Sequence, residues 1–362
     1  MQQFSRREAL ALGAAGVCGG VLALGGCAGG GGAGDSKRVV VYSSIDREVI
    51  EPVLGAFNRA QASAAGSAGG GLVAELVGDT EATKTTGLMQ RLLSEKDRPR
   101  ADVWLSSEAV GTVWLAKQDL LAAWPTAADG GVAAGEGVAL VSALAAWPTV
   151  HRTADWVGMA LRQRRIVYNT RVITLERRPR SIEELCRDDL RGRVVIAKAR
   201  FGTTRGHVAL LHARLGDDGL RALATKLGAA GVRQVDGNAG VVRAVARGEA
   251  HAGLTDCDDV YAGQREGWPV DFVADALEAD LPMVPTTLAL VRGGPNPRGG
   301  VALATWLLDG HLERALAGGD WRAVPVSPAV RAELNVQDEA RAEAWETLDV
   351  ERALLIWERG LA

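Results

Sequence analysis

The chain has 362 residues, 47% of them apolar, and a formal net charge of −3. That length exceeds what one hydrophobic core usually holds, and a nearly balanced charge excludes the basic footprint of a nucleic-acid binder. Its five histidines show no His-x-x-x-His spacing, and no Cys-x-x-Cys, Gly-x-Ser-x-Gly or Walker loop occurs. The motifs therefore supply no nucleophile, base and orienter set for an enzyme.

In chain order, Ser5-Arg6-Arg7-Glu8 precedes an uncharged run from Ala9 to Gly26, too short and too rich in Gly and Ala to span a bilayer well. Residues 1–26 read as an export signal, and the paired arginines suit the twin-arginine route. Leu24-Gly25-Gly26-Cys27 resembles the lipobox of bacterial lipoproteins, which implies cleavage before Cys27 and acylation of its thiol. The Gly-rich stretch behind it makes residues 27–37 a flexible tether, so the chain is expected to be held at a membrane surface on the periplasmic or extracytoplasmic side. Arg6, Arg7 and Glu8 leave with the signal, which takes the net charge from −3 to −4. Of the four cysteines only Cys186 and Cys257 then remain as disulfide candidates, and two buried free thiols are the expected state.

Short β-branched runs alternate with helical patterns from there on. Val39 to Tyr42, Leu72 to Val77, Val103 to Leu105, Val194 to Ile196, Val232 to Val235 and Leu288 to Val291 read as buried strands. Val49, Ile50, Val53, Leu54 and Phe57, then Leu88, Met89, Leu92 and Leu93, and later Val241, Val242 and Val245, form apolar stripes at helical spacing. The alternation implies an α/β fold with a mostly parallel sheet. Met159 to Tyr168, mixed apolar and basic, and Met283 to Val291, after Pro282, are expected to carry the chain between two lobes. Lobe one then comprises 38–164 plus 283–362, and lobe two 165–282. Gln337 to Leu361 reads as a charged amphipathic helix.

Four strand ends run into small polar clusters before a helix: Ser43-Ser44, Thr80 to Thr83, Thr203-Thr204 and Asn238. Hydroxyl and amide groups at a helix N-terminus cap it, and together with free N–H groups they favour an anion or an oxygen-rich solute. In open α/β sheets such turns line the ligand crevice. Plain capping accounts for any one of them; their recurrence suggests a site. Leu254 to Asp259 closes an apolar strand with three carboxylates, Asp256, Asp258 and Asp259. This is either a solvated acidic loop or a turn whose Asp256 accepts hydrogen bonds from an amine or ligates a hard cation together with Asp258.

Val39 to Ser44, Glu81 to Thr85, Arg98 to Val103, Phe201 to Thr204, Gly237-Asn238, Gly253 to Asp259 and Pro285 to Leu290, in that order, resemble the ferric-iron type of bacterial periplasmic solute-binding proteins. The resemblance implies a two-lobed periplasmic-binding-protein fold of type II, each lobe a mixed, mostly parallel sheet flanked by helices and joined to the other by crossing strands. It implies a monomer that closes on a small ligand and delivers it to an ABC permease and ATPase. The cargo implied is iron(III) with a synergistic anion, and no resident cofactor is required. The candidate ligand-binding residues are Ser43, Ser44, Thr83, Ser107, Glu108, Thr203, Thr204, Asn238 and Asp256. The chain departs from the family at the two slots where iron binders carry a His or Tyr and a pair of adjacent tyrosines: these read Ile45-Asp46 and Asp256 to Asp259. The alternative cargo is a small zwitterionic or phosphorylated organic solute, its cationic end on Asp256.

Overall fold

The computed structural model describes residues 37–66, 71–78, 85–126, 136–200, 202–273 and 281–362. Cys27 and Thr83 lie outside them, as do the export signal and most of the tether. β1 (Arg38–Ser43), α1 (Arg47–Ala65) and β2 (Val73–Gly78) form a parallel unit, and α2 (Thr85–Ser94) leads to β3 (Val103–Ser106) on the other side of β1. After α3 (Ala109–Lys117), β4 (Leu121–Ala122) and α4 (Glu136–Ala146) comes the long β5 (Trp156–Asn169). A second set follows: β6 (Val194–Ala197), α5 (Gly202–Ala229), β7 (Arg233–Val235), α6 (Gly237–Ala246), β8 (Ala252–Asp256), α7 (Cys257–Arg265) and β9 (Val270–Phe272). β10 (Met283–Val291) returns, and α8 (Pro297–Trp306), α9 (Leu312–Ala317), α10 (Pro328–Glu333) and α11 (Val350–Leu361) complete the chain.

The strand order is β2-β1-β3-β10-β5-β8-β6-β7, with β4 beside β10 and β9 beside β5. β5 belongs to both halves. Trp156 to Gln163 pair antiparallel with β10, and Arg164 to Tyr168 pair antiparallel with β8. Ala160 has no partner in the first stretch: Met159 faces Thr286 and Leu161 faces Pro285, so Ala160 is the extra residue of a β-bulge. It adopts φ 38°, a left-handed conformation uncommon for a residue with a Cβ. Its N–H is held by the buried carboxylate of Glu313, 3.0 Å away, which also accepts from the N–H groups of Val326 and Ser327.

Strand side chains alternate between layers, as the two-residue period demands. Val39 and Val41 face one buried cluster with Ile50, Leu54 and Phe57 of α1, while Val40 and Tyr42 face another with Leu88 and Leu92 of α2. Val194 and Ile196 join this second cluster, whereas Val195 packs with Val241, Val242 and Val245 of α6. Helices thus cover both faces of each half. The C-terminal segment differs from the long amphipathic helix expected. Apart from a single 3-10 turn at Trp345–Thr347, helix begins only at Val350, and the carbonyls of Asp338 and Ala340 are engaged by Arg331 and His151. α11 then packs along α5, burying Ala353, Ile356 and Trp357.

Candidate functional site

β5 carries three arginines, Arg162, Arg164 and Arg165, and the first two are almost fully buried: Arg162 is 8% exposed and Arg164 0%. Spaced by two, they leave the same side of the strand. Arg164 pairs in register with Asp256, the last residue of β8, and its Nη1 donates to Asp256 Oδ1 at 2.7 Å. The same guanidinium donates to Thr203 Oγ1, to Asn238 Oδ1 and, through Nε, to His207 Nδ1. Thr203 and Asn238 in turn donate to Asp256 Oδ2 at 2.6 and 2.8 Å. Three of the turns singled out by sequence, at the starts of α5 and α6 and the end of β8, therefore converge on one buried ion pair. Burial alone would raise the Asp256 carboxyl, but Arg164 and Arg162 outweigh it and hold the pKa below the ordinary range.

Arg162 bridges the two halves. Its Nη2 donates to the Ser107 carbonyl at 2.7 Å, its Nη1 to Asp258 Oδ2 at 3.1 Å, and its guanidinium lies 4.6 Å from the Trp321 ring centre. Asp258 is 9% exposed, and its Oδ1 is a buried atom without a hydrogen-bond partner. Burial raises its pKa, an effect that Arg162 only partly offsets. A second bridge joins Arg205 of α5 to Glu108 Oε1 at 3.0 Å. The Glu108 carboxylate is also the N-cap of α3, accepting from the N–H groups of Val110 and Gly111.

The serines at the ends of β1 and β3 form a small network of their own. Ser44 Oγ accepts from the Ser107 N–H at 3.0 Å and from Thr85 Oγ1 at 3.1 Å, and lies 3.4 Å from Ser106 Oγ. Ser43 is buried and spends its hydroxyl on the Ile45 N–H. Ser44, Ser107 and Glu108 thus gather on one side of the Arg162 bridge, and Thr203, Thr204, Asn238 and Asp256 on the other. The sequence reading missed Arg162, Arg164, Arg205 and Thr85. Three basic residues within a strand flanked by apolar runs were the available signal for the first pair, since such charges are buried only when paired.

Beside the Arg162 bridge a pocket of about 600 Å³ opens between α1 and α7, with Asp46, Glu48, Asp258, Asp259, Trp306 and Trp321 among its lining residues. No tyrosine is among its described lining residues. The Tyr42 hydroxyl donates to Glu95 and its pKa is pushed up to about 12, first by burial. Tyr168 is buried in β5, and Tyr261 lies under Arg322. Cys186 and Cys257 are free thiols, and burial pushes Cys257 up to about 12.

A profile of the bacterial extracellular solute-binding protein family matches residues 39–317, and the chain belongs to that family. The family is one of solute-binding proteins, not of enzymes. No curated protein matches the chain. Among solved structures it is similar to iron-bound HitA from Pseudomonas aeruginosa, at 16% identity and a TM-score of 0.69 over 89% of this chain and 99% of that one. It is also similar to apo ferric ion-binding protein A from Pasteurella haemolytica, at 16% identity and a TM-score of 0.67 over 90% and 96%. A third is Trichodesmium IdiA (FutA) in complex with iron and citrate, at 15% and 0.69 over 89% and 99%. At such identities the likeness shows the fold, which is the two-lobed type II periplasmic-binding-protein architecture expected from the sequence.

Proposed function

We propose that this chain is the lipid-anchored, extracytoplasmic substrate-binding component of an ABC importer, closing two lobes over a small solute and handing it to a permease. The observation that carries this reading is the Arg162 bridge. One guanidinium on the shared strand holds a carbonyl at the end of β3 and a carboxylate at the start of α7, so ligand-side groups of both halves meet at one point. Contacts made from both sides in the closed form alone are what lets a ligand shift an open–closed equilibrium. Small-angle scattering tests it: the radius of gyration should shrink on binding, and a solute that binds with no change in shape counts against a closing capture protein. Anchoring rests on Cys27, and Cys27→Ala should leave the protein unprocessed or free of the membrane.

An iron cargo is supported by the iron-bound proteins the fold resembles and by Asp256, Asp258 and Asp259, whose carboxylate oxygens lie within 4.8 Å of one another. Against it stand the missing tyrosines and the engagement of both Asp256 oxygens by Arg164, Thr203 and Asn238. Titration of metal-stripped protein with ferric citrate decides, and a ferric site here should lack tyrosinate charge-transfer colour.

A further inference from the structure

The pocket between α1 and α7 has a chemistry of its own. Asp46, Glu48, Asp258, Asp259 and Asp320 all line it, and Arg265, bound to Asp320, is the single guanidinium among its described lining residues. The most buried of these carboxylates is Asp258, about nine-tenths buried, whose Oδ2 takes Arg162 while its Oδ1, closed to solvent, has no partner among the described residues. A buried carboxylate oxygen left without a donor is costly, and a ligand N–H that reaches it through a turn of the Asp258 side chain would complete it. The indoles of Trp306 and Trp321 supply aromatic wall beside these carboxylates, a combination that favours a cation on an apolar stem. The volume of about 600 Å³ also fits an organic molecule better than a bare ion.

We infer that this pocket selects a small organic cation, with a primary ammonium or guanidinium group donating to Asp258 Oδ1 and its carbon skeleton lying against Trp306 and Trp321. The inference rests on the solute-capture reading and specifies its cargo class. Asp46 and Glu48, exposed at the start of α1, form an acidic rim suited to a second positive group on the same ligand. An anionic solute is disfavoured by the same lining.

Calorimetric titration with 1,4-diaminobutane, 4-aminobutylguanidine, ferric citrate and citrate alone, followed by scattering on each mixture, tests the inference. At least one of the two amines should bind saturably and close the lobes, and Asp258→Asn should weaken it on the order of tenfold or more, the scale of one charge-assisted hydrogen bond. Because Asp258→Asn also disturbs Arg162, the rim variant Asp46→Asn with Glu48→Gln gives an independent reading and should weaken the diamine severalfold. Closure by ferric citrate with neither amine bound would overturn the cation inference while leaving solute capture standing. Amine binding without closure would instead count against the capture reading. Amine binding unchanged in both variants would place the cation elsewhere and overturn the assignment of this pocket.

Discussion

Arg164 has no solvent exposure and five polar side chains around it, so removing it strands the Asp256 carboxylate in a site built for a cation. Taking one partner from a buried pair typically costs about 3–5 kcal/mol. We expect Arg164→Met to lower stability by that order at pH 7, and the pH dependence identifies the cause. The folded pKa of Asp256 lies below its ordinary value of 3.8, so its contribution is present above that value and is lost as pH falls through the depressed one. In the variant burial acts with less opposition and the carboxyl takes up a proton at higher pH. The gap between wild type and variant in urea unfolding should therefore narrow on acidification; a gap constant from pH 7 to pH 4 would mean that packing, not charge, is what Arg164 supplies. Much of this site was legible beforehand, since Thr203, Asn238 and Asp256 each stood at a strand-to-helix turn. The arginines that unite them were harder to see, because a basic residue in a strand pattern reads as solvent-facing until the neighbouring strand shows where its carboxylate lies.

At the scale of elements, the most extensive helix contact among the described residues is that of α11 on α5. Gly360 approaches Ala224 so closely that an added Cβ would lie 2.5 Å from the Ala224 Cβ, and Gly228 faces the Gly360 carbonyl in the same way. Gly360→Ala must therefore push the helices apart, and overpacking of this kind costs typically about 1–3 kcal/mol. A lower thermal midpoint with unchanged ligand affinity is the expected result, and an unchanged midpoint would show that α11 adapts freely at its end. Sequence periodicity served well where one face of a helix or strand is buried: Val241, Val242 and Val245 lie inward, and the strand expected at Leu288 to Val291 is the end of a longer one, Met283–Val291, the segment expected to carry the chain between lobes. It failed for Gln337 to Asp349, where charged and apolar residues alternate at roughly helical spacing but the carbonyls are spent on arginine and histidine side chains from elsewhere. It also passed over α4, whose run from Val138 to Ala146 is apolar on most sides and carries little periodic signal.

Across the whole molecule, the Arg205–Glu108 pair ties α5 to the N-terminus of α3, with side-chain exposures of 12% and 1%. Since Glu108 keeps its cap bonds to Val110 and Gly111 without Arg205, Arg205→Met should spare α3 and act on the closed state alone. A smaller closed fraction lowers apparent affinity in proportion. Loss of one charge-assisted bond predicts a decrease of roughly tenfold and a larger radius of gyration for the unliganded protein; if neither moves, the pair is not a closure contact. The bulge at Ala160 has a further consequence for how this protein tolerates change. Side-chain direction along a strand depends only on whether a position is odd or even, and Ala160 is the uncounted position just before the two arginines. Deleting it would leave Met159 and Leu161 as neighbours facing Thr286 and Pro285, a regular ladder in which Arg162 and Arg164 keep their partners and their layer. Such a deletion should spare the two guanidiniums and remove only the N–H that Glu313 holds, so the extra residue belongs to the anchoring of this strand and not to its recognition code.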